Sequence, residues 1–206
     1  MTVFIHRRMP EASLGSVDRA MKALGLNGMR RPKGIRRTIP AKDGRRAGDL
    51  LARYFTAPAP NRTWVMDFTY VRTWAGFTYV SFIVDAFAQK IIAWNAATSK
   101  DVNLVMTPLR MAIWQRQCEE NPIEPGELIG HADPGSQYTS IMFTEHLELE
   151  GIRPSIGTTA DAYDNALMQT LIGLFKTECI RTTVFHAGPF RTITDVEWAT
   201  AGRVDR

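Results

Sequence analysis

Along the chain the apolar positions fall first into a helical rhythm, then into strand-like runs, then alternate between the two. Ser16–Leu24 carries Val17, Ala20, Met21 and Leu24 on one helical face, with Ser16 placed to cap its start and Gly25 to end it. Periodicity is then lost. Arg30–Arg46 is rich in Arg, Lys and Gly and contains Pro32 and Pro40, which reads as a basic arm or linker. Thr56–Asn61 (TAPAPN) is a proline-punctuated boundary, so a basic helical element and linker over 1–60 precede a main domain over 61–206.

The main domain opens with three runs rich in aromatic and β-branched residues: Trp64–Thr73, Phe77–Asp85 and Lys90–Thr98. Their short connections, Trp74-Ala75-Gly76 and Ala86–Gln89, predict an antiparallel meander. Asp101–Cys118 reads as a helix despite Pro108, Glu127–His131 as a short strand, Tyr138–Glu150 as a helix and Arg153–Ile156 as a strand. Asp164–Ile180 is the next helix, with Leu167, Leu171, Leu174 and Phe175 as its apolar stripe, and another begins near Thr194. Three strands followed by helix, strand, helix, strand and helix make an α/β fold with a mixed sheet that helices cover on both faces.

Composition changes this picture little. Hydrophobic residues at 45% and charged residues at 22% are the balance of a soluble globular protein. No apolar run approaches the ~20 residues that cross a bilayer, and the N-terminus lacks the apolar stretch of a secretory signal. Cys118 and Cys179, far apart and on helices, suit buried reduced thiols, and four scattered histidines give no zinc-ligand spacing.

Charge changes it more. Residues 1–62 hold 14 Lys/Arg against 4 Asp/Glu, whereas the rest of the chain holds 11 against 17. A basic arm of net +10 on a core of net −6 points to a polyanion for the arm and a cation for the core, unless the arm is simply a solvated tail. Two acids stand out in the core. Asp67 lies mid-strand, on the face of Val65, Thr69 and Val71 and opposite Met66, Phe68 and Tyr70; an acid among such neighbours needs a cation or a donor. Asp133 follows a strand end, where α/β sheets gather ligands, although a local turn role would also place it there. Two carboxylates from adjacent strand ends can hold a divalent metal.

Three segments carry a resemblance: WVMDFTYVRTWAGFTYVSFIVDAF, then HADPGSQYTS (His131–Ser140), then YDNALMQTLIGLFKTE (Tyr163–Glu178). Together they resemble the integrase-type catalytic core of bacterial insertion-sequence transposases, more narrowly the family whose transposase is fused from two overlapping reading frames by frameshifting. The resemblance runs from about Leu14 to the C-terminus. It implies the RNase-H-like fold shared with retroviral integrases, here a mixed five-stranded sheet flanked by helices with a small basic helical element before it. It also implies DNA cutting and joining with two Mg²⁺ (or Mn²⁺) ions, on element ends and target DNA. The partners it implies are further copies of the chain and the product of the upstream reading frame, in the bacterial cytoplasm at the nucleoid.

The family's first two acids map onto Asp67 and Asp133, and its third, a Glu with 35 residues between it and the second, maps onto Gln169. Glutamine keeps an oxygen of similar reach but no charge to balance a second metal. Glu178 falls about 180° away around the helix and Asp164 about 140°. Asp161 precedes the helix, so none of the three replaces the missing acid. Impaired metal binding and catalysis are therefore expected.

The resemblance also implies DNA contact by Lys176, two helical turns beyond Gln169, and places Tyr163 and Asn165 beside the active site. It gives His131 and Gln137 roles in orienting Asp133 or meeting phosphate. Arg30, Arg31 and Lys33 after the first helix are expected to grip phosphates without reading sequence. Lys176 as a solvated lysine and Tyr163 as packing are the plainer alternatives, and Asp85 reads as a turn residue. Members of the family normally continue beyond the equivalent of Arg206, so the chain is expected to be truncated. Two functional readings follow: a transposase working through Asp67, Asp133 and a divalent cation, or a DNA-binding remnant that grips DNA or regulates active copies without cutting.

Overall fold

The computed structural model describes residues 9, 11–24, 47–51, 56–120, 122–157, 166–181 and 189–204. The chain forms two compact units, Met1–Ala41 and Lys42–Arg206. In the first, α1 (Leu14–Ala23) starts two residues before the expected position. Ser13, not Ser16, is its cap: Ser13 is extended and its Oγ accepts the Ser16 N–H at 3.2 Å, one of the donors the first turn leaves unpaired. Asp18 and Lys22 pair at 2.9 Å along its exposed face. Gly25, Arg30, Arg31 and Lys33 lie outside the described residues.

The second unit is built on a five-stranded mixed sheet in the order β3-β2-β1-β4-β5. β1 (Thr63–Thr73), β2 (Gly76–Asp85) and β3 (Lys90–Ala97) form the expected antiparallel meander. Gly76, at φ 125°, supplies the backbone conformation that the Trp74-Ala75 turn requires. β4 (Ile129–Ala132) lies parallel to β1, and β5 (Arg153–Ile156) lies parallel to β4. Parallel neighbours need a crossover connection, and α2 (Asn103–Cys118) and α3 (Ile141–Leu149) provide the two. α3 starts three residues later than Tyr138 because Ser140 caps it, its Oγ accepting the Phe143 N–H. α4 (Ala166–Phe175) continues into a π-helical turn, Lys176–Ile180, closed by the Arg181 N–H on the Lys176 carbonyl at 2.8 Å. α5 (Ile193–Val204) follows.

Alternation along the strands divides the interior into two cores. On one face Trp64, Met66 and Ile83 pack with Leu104, Leu109 and Ile113 of α2 and Phe143 and Leu147 of α3. On the other, Val65, Phe82 and Val84 pack with Met168 and Phe175 of α4 and Val196 of α5. This is the three-layer α/β arrangement, with helices on both sides of the sheet.

Three sequence expectations shift. Leu174 is 45% exposed, because the buried line of α4 runs through Met168 and Phe175, with Leu171 and Cys179 at its margin. Cys118 is exposed rather than buried, at the last position of α2, and Cys179 is half-buried. Residues 47–51, expected in the linker, lie against β5: the Leu50 N–H donates to Ser155 Oγ at 2.9 Å and Leu51 is buried. Among the described residues no helix is long and apolar enough to cross a membrane.

Candidate active site

The pairing of β1 with β4 brings the two acids together. Their parallel register ends at Met66 opposite Ala132, so the next residue of each strand is an aspartate, Asp67 on β1 and Asp133 just past β4. β1 continues to Thr73 while β4 stops, which opens the sheet at this point. Asp67 lies across from Phe82 on its other neighbour, on the face covered by α4. Its Oδ1 accepts the Phe68 N–H at 2.7 Å.

Burial pushes the Asp67 carboxyl up to about 7. The negative charge of Asp133 adds to the rise, while the Phe68 N–H and the Lys176 ammonium oppose it. Burial lowers Lys176 in turn, as does the neighbouring Arg181, and the attraction of Asp67 partly offsets both. Acid and lysine thus belong to one electrostatic site, reached from two elements: β1 and the end of α4. The Lys176 Nζ also sits 5.0 Å from the Tyr70 ring centroid.

Gln169 is exposed on α4, two helical turns before Lys176 and so on nearly the same side of the helix. Glu178 pairs with Arg203 of α5 at 3.1 Å, which accounts for its charge away from the acids. Asp161, Tyr163, Asp164 and Asn165 lie outside the described residues. Among the described residues no group of three or more His, Cys, Asp or Glu side chains gathers at metal-binding distance. Asp85 is a turn residue as expected: its carboxylate accepts the N–H groups of Asn61 and Ala88.

His131 lies inside the sheet, a place that suits the orienting role of the two expected for it. It is 1% exposed, on β4, with Nδ1 2.9 Å from Ser155 Oγ on β5. A ring buried between strands braces β4 beneath Asp133 and is out of reach of a phosphate. Gln137 spans two loops, its Nε2 donating to the Lys100 carbonyl at 2.7 Å, and so holds the segment after Asp133 against the start of the α2 crossover.

Tyr138 escaped attention in the sequence although it ends the HADPGSQY motif. It is 2% exposed, and its ring packs on Phe68 and Phe143. Its hydroxyl is buried without a hydrogen bond of acceptable geometry. Burial raises it well above the ordinary tyrosine range, and the charges of Asp67 and Asp133 add to this while Ser81 works against it.

Known proteins share this sequence and fold. The Integrase core domain family matches residues 57–162, which include β1 to β5 and both acids. Over 201 residues the chain is 46% identical to the protein assigned as transposase to insertion sequence element IS986/IS6110 of Mycobacterium tuberculosis, covering 98% of this chain and 70% of that protein. It is 40% identical over 190 residues to the transposase for insertion sequence element IS629 of Shigella sonnei, covering 92% of this chain and 60% of that one. Among solved structures, the simian T-cell lymphotropic virus intasome in complex with the PP2A regulatory subunit B56 gamma aligns at TM-score 0.51 and 16% identity, over 84% of this chain and 58% of that one, a likeness of fold. The chain belongs to the insertion-sequence transposases with a retroviral integrase-type, RNase-H-like core.

Proposed function

We propose that this chain carries a DNA strand-transfer site in which Asp67 and Asp133 hold a divalent cation, and that Gln169 leaves the site impaired. The observation that carries the reading is the acid pair itself. Burial and a neighbouring carboxylate hold Asp67 near neutrality, an arrangement that costs stability unless a cation joins it. Carboxylate oxygens at a strand end are a fitting donor set for a hard ion such as Mg²⁺ or Mn²⁺. When bound, such an ion supplies charge stabilisation at a phosphodiester.

The chain's own residues set the limits. Asp67 and Asp133 balance one divalent ion, whereas a second adds charge that the neutral oxygen of Gln169 does not offset. Lys176, beside Asp67, is placed to meet a DNA phosphate. His131 and Gln137 hold the segment that carries Asp133 rather than touching DNA. The basic residues Arg30, Arg31 and Lys33 would add sequence-independent grip, and Tyr163 and Asn165 would border the site. Assembly as a homo-oligomer on element ends, with or without the product of an upstream reading frame, belongs to the same proposal. So does the division into a basic element over 1–60 and a catalytic core over 61–206.

Calorimetric titration with Mn²⁺ tests the proposal. The chain should bind one ion weakly, Asp67→Asn should abolish the heat, and Gln169→Glu should tighten binding and raise the stoichiometry toward two. Equal heats from the native chain and Asp67→Asn would sink it.

A further inference from the structure

Beyond Phe68, the sheet face that carries the α2–α3 core runs out from under its helices. Tyr70 is 59% and Phe77 52% exposed there, large aromatic surfaces left in solvent. Tyr70 and Tyr79 are register partners on β1 and β2, so their side chains stand on the same face of the sheet. Phe77 is diagonal to Tyr70 and meets it edge to face, with centroids 5.6 Å apart and ring planes at 84°.

A lysine stands at each end of this row. Lys176 Nζ lies 5.0 Å from the Tyr70 centroid, and Lys100 Nζ lies 5.1 Å from the Tyr79 centroid. Arg72, exposed, is the register partner of Phe77. The order across the sheet is therefore Lys176, Tyr70, Tyr79, Lys100, rings flanked by cations.

We propose that this stripe binds the unpaired strand of a DNA end, with bases stacked on Tyr70 and Phe77 and phosphates met by Lys176, Lys100 and Arg72. Aromatic platforms flanked by cations suit a single strand because every base offers a π face and every linkage a negative charge. A duplex hides its base faces and gains only the charge term. The cations argue against a second protein's apolar face as the occupant, and Lys176, which meets Tyr70 on this face and Asp67 on the other, argues for the strand being processed. The inference rests on the DNA reading above and adds to it a subsite and a preference between forms of DNA.

The test uses the full chain in EDTA with two fluorescent DNA probes: a blunt duplex, and the same duplex with a five-nucleotide unpaired tail carrying 2-aminopurine. The native chain should bind the tailed probe about tenfold more tightly than the blunt one, the scale of one stacked base, and quench the 2-aminopurine. Tyr70→Ala and Phe77→Ala should each remove most of that preference and the quenching while leaving blunt-duplex affinity within about twofold. Tyr70→Phe, which keeps the ring, should behave as native. Equal affinity of the native chain for both probes, or Ala variants that weaken both probes alike, would overturn the subsite while leaving DNA binding intact. Failure of the native chain to bind either probe would overturn the DNA reading and the subsite with it.

Discussion

Replacing Asp67 by asparagine should make the metal-free protein more stable above about pH 4, increasingly so up to about pH 7. The carboxyl sits at about 7 in the fold against an ordinary 3.8. Below about pH 4 it is protonated in folded and unfolded chains alike and costs nothing. Between pH 4 and 7 the unfolded chain ionises while the folded one holds its proton, so the contribution to stability falls as pH rises. Above 7 the full cost stands, about 4 kcal/mol for a rise of this size. Water reaching this half-buried group reduces that, and about 2 kcal/mol is the working figure.

Asparagine keeps an oxygen for the Phe68 N–H, now 2.7 Å from Asp67 Oδ1, and removes the charge that Asp133 repels. Thermal unfolding in EDTA should therefore place Asp67→Asn about 4–8 °C above the native chain at pH 8, with the two curves meeting near pH 4. Millimolar Mn²⁺ should raise the native chain at pH 8 and leave the variant unmoved. A variant less stable than native at pH 8 in EDTA, or a gap that does not change with pH, would refute the reasoning.

Other perturbations follow from the same geometry. Lys176→Ala should weaken binding to every DNA sequence alike and reduce the salt slope of log K by about 1, measured by fluorescence anisotropy across a salt series. An unchanged slope would remove this lysine from the interface. Gly151 has φ 71° and a Cβ there would come within 2.9 Å of the Pro125 backbone, so Gly151→Ala should cost about 2–3 kcal/mol in urea unfolding; a cost below about 0.5 kcal/mol would show that the turn relaxes. Tyr138→Phe removes a buried hydroxyl that lacks a well-formed hydrogen bond, so stability should hold or rise by about 1 kcal/mol. A loss of similar size would show that the hydroxyl has a partner.

Much of the fold was legible because its signals are local. The runs at β1 to β3 alternate or fill with β-branched and aromatic residues, and Trp74-Ala75-Gly76 fixes the first turn. β4 was read about two residues early, since Glu127 still belongs to the turn after Pro125-Gly126 and turns its carboxylate to Arg62. The parallel register of β1 with β4 was not readable from spacing, because nothing local in HADPGS states which strand it will join. Strand placement singles out Asp67 and Asp133 as a candidate pair, and the family pattern alone implies which strands adjoin.

Contacts over long separations were the least legible part of the site. The family motif leaves His131 either to orient Asp133 or to meet phosphate, and only the fold shows Ser155 beside its ring. Helix geometry puts Lys176 near the face of Gln169, yet its partner Tyr70 lies on a distant strand and leaves no mark in the local pattern. Tyr138 was hidden by its place in a loop motif, where burial under Phe68 and Phe143 is a property of the tertiary packing alone.

The account stands or falls on Gln169. The measurement that tests it most directly is Mn²⁺-dependent cleavage and joining of element-end DNA, run side by side on the native chain and Gln169→Glu. Restoring the third carboxylate should raise the rate about a hundredfold or more above a native chain that is close to background. Equal rates from the two proteins would contradict the account and place the completing group elsewhere.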